Sequence, residues 1–77
     1  MKNKVRVCDN GTAFCVTVNG IIVDAFNTLG AAWNRIAWMY RVAQQDFVVG
    51  DNEIPAKEWL EIGIKNHFLD EDAGFKK

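Results

Sequence analysis

Lys4-Val5-Arg6-Val7-Cys8-Asp9-Asn10-Gly11-Thr12-Ala13-Phe14-Cys15-Val16-Thr17-Val18-Asn19-Gly20-Ile21-Ile22-Val23-Asp24-Ala25-Phe26 is cut by two Asn-Gly pairs into three runs of apolar alternation. A tight primed turn needs positive φ at both central residues, and Asn-Gly is the strongest short-range signal for it. The two turns predict a three-stranded antiparallel meander with two-residue loops at Asn10-Gly11 and Asn19-Gly20. Its strands are expected from about Lys4 to Asp9, from Thr12 to Val18 and from Ile21 to Phe26, with the second in the centre.

Successive side chains on a strand point to opposite faces, so this register sorts the residues into two sets. One face collects Val5, Val7, Phe14, Val16, Val18, Ile21, Val23 and Ala25, the unbroken apolar set of a face packed on a core. The other holds Lys4, Arg6, Cys8, Ala13, Cys15, Thr17, Ile22, Asp24 and Phe26, mixing charge with apolar groups. Cross-strand rows of Arg6, Cys15 and Asp24, and of Cys8, Ala13 and Phe26, follow. Cys8 and Cys15 are then diagonal and not opposed, near or beyond the reach of an unstrained disulfide, so free thiols are expected. Ile22 and Phe26, with Arg6 and Asp24 beside them, form a candidate patch for a partner, because exposed apolar patches mark interaction sites.

Asn27 or Thr28 can cap a helix that runs from Leu29 to about Gln45. At about 100° per residue, Leu29, Ala32, Trp33, Ile36, Met39, Tyr40 and Ala43 share the side that packs on the sheet. Trp38 falls almost opposite, flanked by Ala31 and Val42. An apolar residue there is either covered by another element or offered to a partner. In the second case Trp38 and Val42 form the anchor, and Arg35 and Arg41 the polar rim of a protein-binding surface.

Phe47-Val48-Val49 is a β-branched run closed by Gly50-Asp51-Asn52 and is expected to add a short fourth strand at a sheet edge. Pro55 suits the first position of a second helix reaching Asn66, since its missing N–H costs nothing there. That helix carries apolar residues over a wide arc and packs on the first helix or on the margin of the sheet. The expected architecture is α+β in two layers, with residues 1–69 as one domain and residues 70–77 as a flexible tail.

With 77 residues, the chain is near the lower limit at which one hydrophobic core suffices. An apolar share of 49% with three tryptophans is nonetheless that of a folded domain. Nine Lys plus Arg against ten Asp plus Glu give no field to hold a polyanion. No apolar run approaches the roughly 18 residues of a membrane span, and no leader-like apolar stretch follows the basic residues near Met1, so a cytoplasmic location is expected. Asn10-Gly11-Thr12 matches a glycosylation acceptor, but the turn already accounts for it.

No catalytic, metal or nucleotide motif is present. The cysteines lack a paired knuckle, and the lone His67 reads as a helix-end residue, so no metal, cofactor or small-molecule site is expected. The meander followed by a helix resembles, in topology only, small DNA-binding domains that lay such a sheet in the major groove; their motif residues and a basic stripe are missing. What remains is a non-enzymatic module that binds another protein or a second copy of itself. Small phage or mobile-element accessory proteins and inhibitors are of this kind, and a homodimeric structural protein is the alternative.

Overall fold

The computed structural model describes residues 2–75. Met1, Lys76 and Lys77 lie outside the described residues, so of the tail expected over 70–77 only 70–75 is described. The elements are β1 (Asn3–Asp9), β2 (Phe14–Val18), β3 (Ile21–Phe26), α1 (Leu29–Arg41), β4 (Phe47–Val49), β5 (Ile54–Pro55) and α2 (Ala56–Lys65). They form one five-stranded sheet in the order β3-β2-β1-β4-β5, with two helices. The β1-β2-β3 meander is antiparallel, β4 runs parallel to β1, and β5 is antiparallel to β4. This is the expected α+β class, with two differences in strand order. β2 is central in the meander as expected, but the added strands make β1 the middle of the five, and β4 lies inside the sheet because β5 covers it. Pro55 pairs with Val48 and caps α2 from outside, at φ −54° and ψ 140°, where its missing N–H takes nothing from an edge strand.

The second hairpin is the one the sequence predicts. Val18 faces Ile21, and Asn19 and Gly20 take φ of 53° and 85°, the two positive values of a primed turn. The first hairpin is not. Asp9 faces Phe14, which leaves a four-residue loop from Asn10 to Ala13. Asn10 Oδ1 accepts from Thr12 N at 3.0 Å, Thr12 Oγ1 at 2.9 Å and Ala13 N at 2.8 Å, while Asp9 Oδ1 accepts from Gly11 N at 2.8 Å. Those side-chain bonds satisfy the loop amides and replace a tight turn. Because the register moves by two residues, β1 and β2 keep their faces. Its consequence is that Cys8 stands directly opposite Cys15 and Arg6 opposite Thr17, which corrects the diagonal placement of the two thiols; both are free.

A second correction concerns β3. Thr17 pairs with Ile22, but Val16 pairs with Asp24, so Val23 is an extra residue in a β-bulge. A one-residue shift exchanges the faces. Asp24 and Phe26, expected on the outer face, lie on the helical side with Val16 and Phe14, and Ala25 takes the outer face beside Cys15.

Both helices cover the face of Val5 and Val16. Val5, Val16, Ala32, Ile36, Phe47, Val49 and Ala56 form the main core, with Phe26, Trp33 and Trp59 packed against it. A second cluster joins Ala37, Leu60, Leu69 and Ala73 on the flank of α1. Thr28 caps α1 by accepting from Ala31 N at 3.1 Å. The helix ends at Arg41, four residues short of Gln45, because Gln44 turns to φ 55° and Gln45 N donates back to Met39 O at 2.9 Å. α2 ends as His67 takes φ 64°, and Phe68 N donates to Gly63 O at 2.9 Å.

The segment after α2 returns to α1. Arg41 Nη1 donates to Glu71 O at 2.6 Å and Ala73 O at 3.0 Å, and Gly74 N donates to Asn34 Oδ1 at 2.7 Å. Gly74 is required twice over. Its φ is 89°, and a Cβ there would lie 2.7 Å from the backbone of Ala37 and Trp38.

Candidate binding surface

The bulge decides which groups meet on the helical side of β3. By turning Asp24 toward α1 it brings Asp24 Oδ2 within 3.2 Å of Arg35 Nε. The Arg35 guanidinium lies 4.4 Å above the centroid of the Trp38 ring. Ion pair and stacked cation hold one another in place: Arg35 is flat enough to lie on the indole while its Nε faces the carboxylate. The pair is partly open to solvent and adds no more than about 1 kcal/mol to stability. Its larger effect is shape. Asp24, Arg35 and Trp38 form a ridge that borders two open grooves.

The first groove, about 760 Å³, is bounded by Phe26, Ala31 and Asn34 on one side and by residues 68–70 and Ala73 on the other. The second, about 580 Å³, is lined by Val18, Val23, Met39 and Phe47, with Asp46 at its margin. Trp38 belongs to neither core cluster; α2 and the segment after it cover α1 at Trp33, Ala37 and Tyr40 instead. Trp38 is half-buried and lines both grooves beside Arg35.

β3 forms one edge of the sheet, and its first three residues stand out in succession: Ile21 is 70% exposed, Ile22 61% and Val23 55%. These are β-branched residues on a strand with one unpaired side, directly beside the ridge.

Of the eight residues singled out in the sequence, the fold brings together Asp24, Arg35 and Trp38, with Ile22 on the neighbouring edge. Phe26 leaves the outer patch: it packs against the main core and lines the first groove beside the ridge. The other three lie elsewhere. Arg6 does not pair with Asp24 across Cys15; its Nε faces Asp51 at 3.4 Å, and Lys4 Nζ reaches the same carboxylate at 3.4 Å. Arg41 holds the chain after α2 and lies 5.1 Å from the Phe75 ring centroid, so it is no rim to Trp38. Val42 is exposed as the C-cap of α1.

Sequence reading missed Ile21 and Val23 because strict alternation places both in the core. The available signal was the run Ile21-Ile22-Val23 itself, three apolar residues without alternation ahead of a charge. It also missed a small apolar hollow of about 230 Å³ between Trp33, Trp59, Ile62 and Phe68, where the Trp33 and Phe68 rings meet edge to face at 5.9 Å.

Among the described residues no group of three or more His, Cys, Asp or Glu could hold a metal ion. No described helix is long and apolar enough to cross a membrane. His67 is exposed at the end of α2, while both cysteines lie on the outer sheet face, so no Cys-His pair is assembled. No family model matches the chain, and no curated protein or solved structure matches it either.

Proposed function

We propose that this chain is a non-catalytic protein-binding module that acts by occupying a partner's surface, with the β3 edge and the Asp24–Arg35–Trp38 ridge as its contact region. The observation that carries the reading is the succession of Ile21, Ile22 and Val23, exposed on a strand with one unpaired side. An edge strand offers a row of backbone donors and acceptors to any extended segment. Natural sheets blunt such edges with lysine, proline or inward charge. Residues 21–23 carry none of these; the bulge at Val23 and the inward Asp24 blunt the strand only from its middle onward. Strand addition beside a groove uses the edge for affinity and the groove for side-chain selection, and here two grooves flank the ridge. The DNA-binding alternative relies on the outer face, where Lys4 and Arg6 both face Asp51.

The test uses three variants of the full chain: Ile22→Lys at the edge, Trp38→Ala on the ridge, and Ile62→Lys on α2 as a distant control. All three are expected to melt close to wild type. Chemical cross-linking in lysate of the source cells, read by mass spectrometry, should give a discrete complex that Ile22→Lys and Trp38→Ala lose and Ile62→Lys keeps. Light scattering over a concentration series identifies a partner that is a second copy. A complex that survives both edge and ridge variants would overturn the assignment of this surface.

A further inference from the structure

We propose that Cys8 and Cys15 form a thiol–disulfide site, closed across β1 and β2 by a small-molecule disulfide such as oxidised glutathione. The four-residue first loop sets the two cysteines directly opposite one another, so both side chains leave the same face of the sheet. Antiparallel partners alternate between pairs that exchange both backbone hydrogen bonds and pairs that exchange none. Asn10 N donates to Ala13 O at 3.2 Å and Asn19 N to Lys4 O at 2.8 Å. Counting in twos between them makes Cys8–Cys15 a bonded pair, with Cα atoms about 5.5 Å apart. That lies inside the Cα range of roughly 4.4–6.8 Å for disulfides, while the Cβ atoms of a bonded pair stand about 5 Å apart, so closure draws them together by a local twist of β1 against β2.

The face they share carries no helix, and the two thiols differ in access. Cys8 is partly exposed, whereas Cys15 is only 3% exposed, with Asn10 Nδ2 donating to its Sγ at 3.5 Å. The difference orders the chemistry. The Cys8 thiolate attacks one sulfur of the oxidant, whose S–S bond breaks and releases one small thiol. The Cys15 thiolate then attacks the Cys8 sulfur of the mixed disulfide and displaces the second. The protein gives up two protons and two electrons, and the oxidant takes up both to leave as two thiols. The product staples the hairpin whose register the Asn10 loop sets.

The experiment treats folded wild type, Cys8→Ser and Cys15→Ser with oxidised glutathione, quenches in acid and reads intact mass. Wild type is expected to lose the mass of two hydrogens, retain no glutathione, remain a single chain without reductant, and regain its mass in dithiothreitol. Cys15→Ser should accumulate one glutathione on Cys8. Cys8→Ser should react more slowly than Cys15→Ser. The oxidised wild type should melt above its reduced form. A wild type that keeps the glutathione adduct, links covalently to a second copy or does not react would overturn the proposal. Equal reaction rates for the two single variants would overturn the order of attack. Melting curves of the reduced variants show whether each is folded when treated.

Discussion

The two hairpins of the meander share the dipeptide Asn-Gly and use it in different ways. At Asn19-Gly20 the asparagine supplies backbone conformation: both residues take positive φ, the loop has two residues, and the Asn19 side chain is free to accept from Lys4 N at 2.9 Å and to donate to Asn3 Oδ1 at 2.9 Å. At Asn10-Gly11 the asparagine supplies a side-chain oxygen with three donors, only Gly11 takes positive φ, and the loop has four residues. The flanks explain the difference. Val18 and Ile21 are strand formers that carry the ladder to the turn, whereas Asp9 and Thr12 are polar residues that bond locally to the backbone and end it early. A turn signal is therefore read together with its neighbours. The same polar pair that closes one loop in two residues opens the other to four.

The two departures from simple alternation also differ in consequence. The longer first loop moves the register by two residues and leaves every face as predicted. The bulge at Val23 moves it by one and turns Asp24 and Phe26 inward. The largest expected effect tests that inversion. Phe26→Ser should destabilise the domain by about 2–3 kcal/mol, measured by denaturant unfolding, because a partly buried ring packed against the core is lost. A residue on the open outer face would change stability by less than about 0.5 kcal/mol. A near-neutral result would mean that β3 runs without the bulge.

The next effect separates the two asparagines. Asn10→Gly removes an acceptor from three donors and should cost about 1–2 kcal/mol. Asn19→Gly keeps the left-handed conformation that the turn needs and loses two solvent-exposed side-chain bonds, so it should cost about 0.5–1 kcal/mol, less than Asn10→Gly. Equal costs at the two positions would place both in the same kind of turn and remove the contrast.

These cases show what was legible in the sequence. The class, the three meander strands, the β4 run and both helices could be read from turn signals and periodicity, since each depends on a local pattern of polarity. The faces of β1 and β2 survived a wrong loop length because their error was even. What could not be read was decided by economy across the whole sheet. Strict alternation puts Ala25 inside and Phe26 outside; one inserted residue buries the ring at the expense of an alanine, and no local rule says so. β5 was hidden because Ile54-Pro55 is two residues long, and proline reads as a helix start. The ridge is half legible: Trp38 stands out as one apolar group too many, but strict alternation sets Asp24, which pairs with the Arg35 that lies on the Trp38 ring, beside Arg6 on the other face.

The smallest effect asks which arginine Asp24 serves. A double-mutant cycle of Asp24→Ala with Arg35→Ala, measured by denaturant unfolding at low salt, should give a coupling of up to about 1 kcal/mol, falling as salt is added, since both groups are partly solvated. The parallel cycle of Asp24→Ala with Arg6→Ala should give none, because the sheet separates the two side chains and Arg6 faces Asp51. Coupling to Arg6 and not to Arg35 would restore the uninterrupted register. It would return Asp24 to the outer face and dismantle the ridge, whatever the stability of Phe26→Ser. The weakest interaction thus discriminates most sharply, because register determines whether the pair exists and its strength determines only how much signal there is to measure.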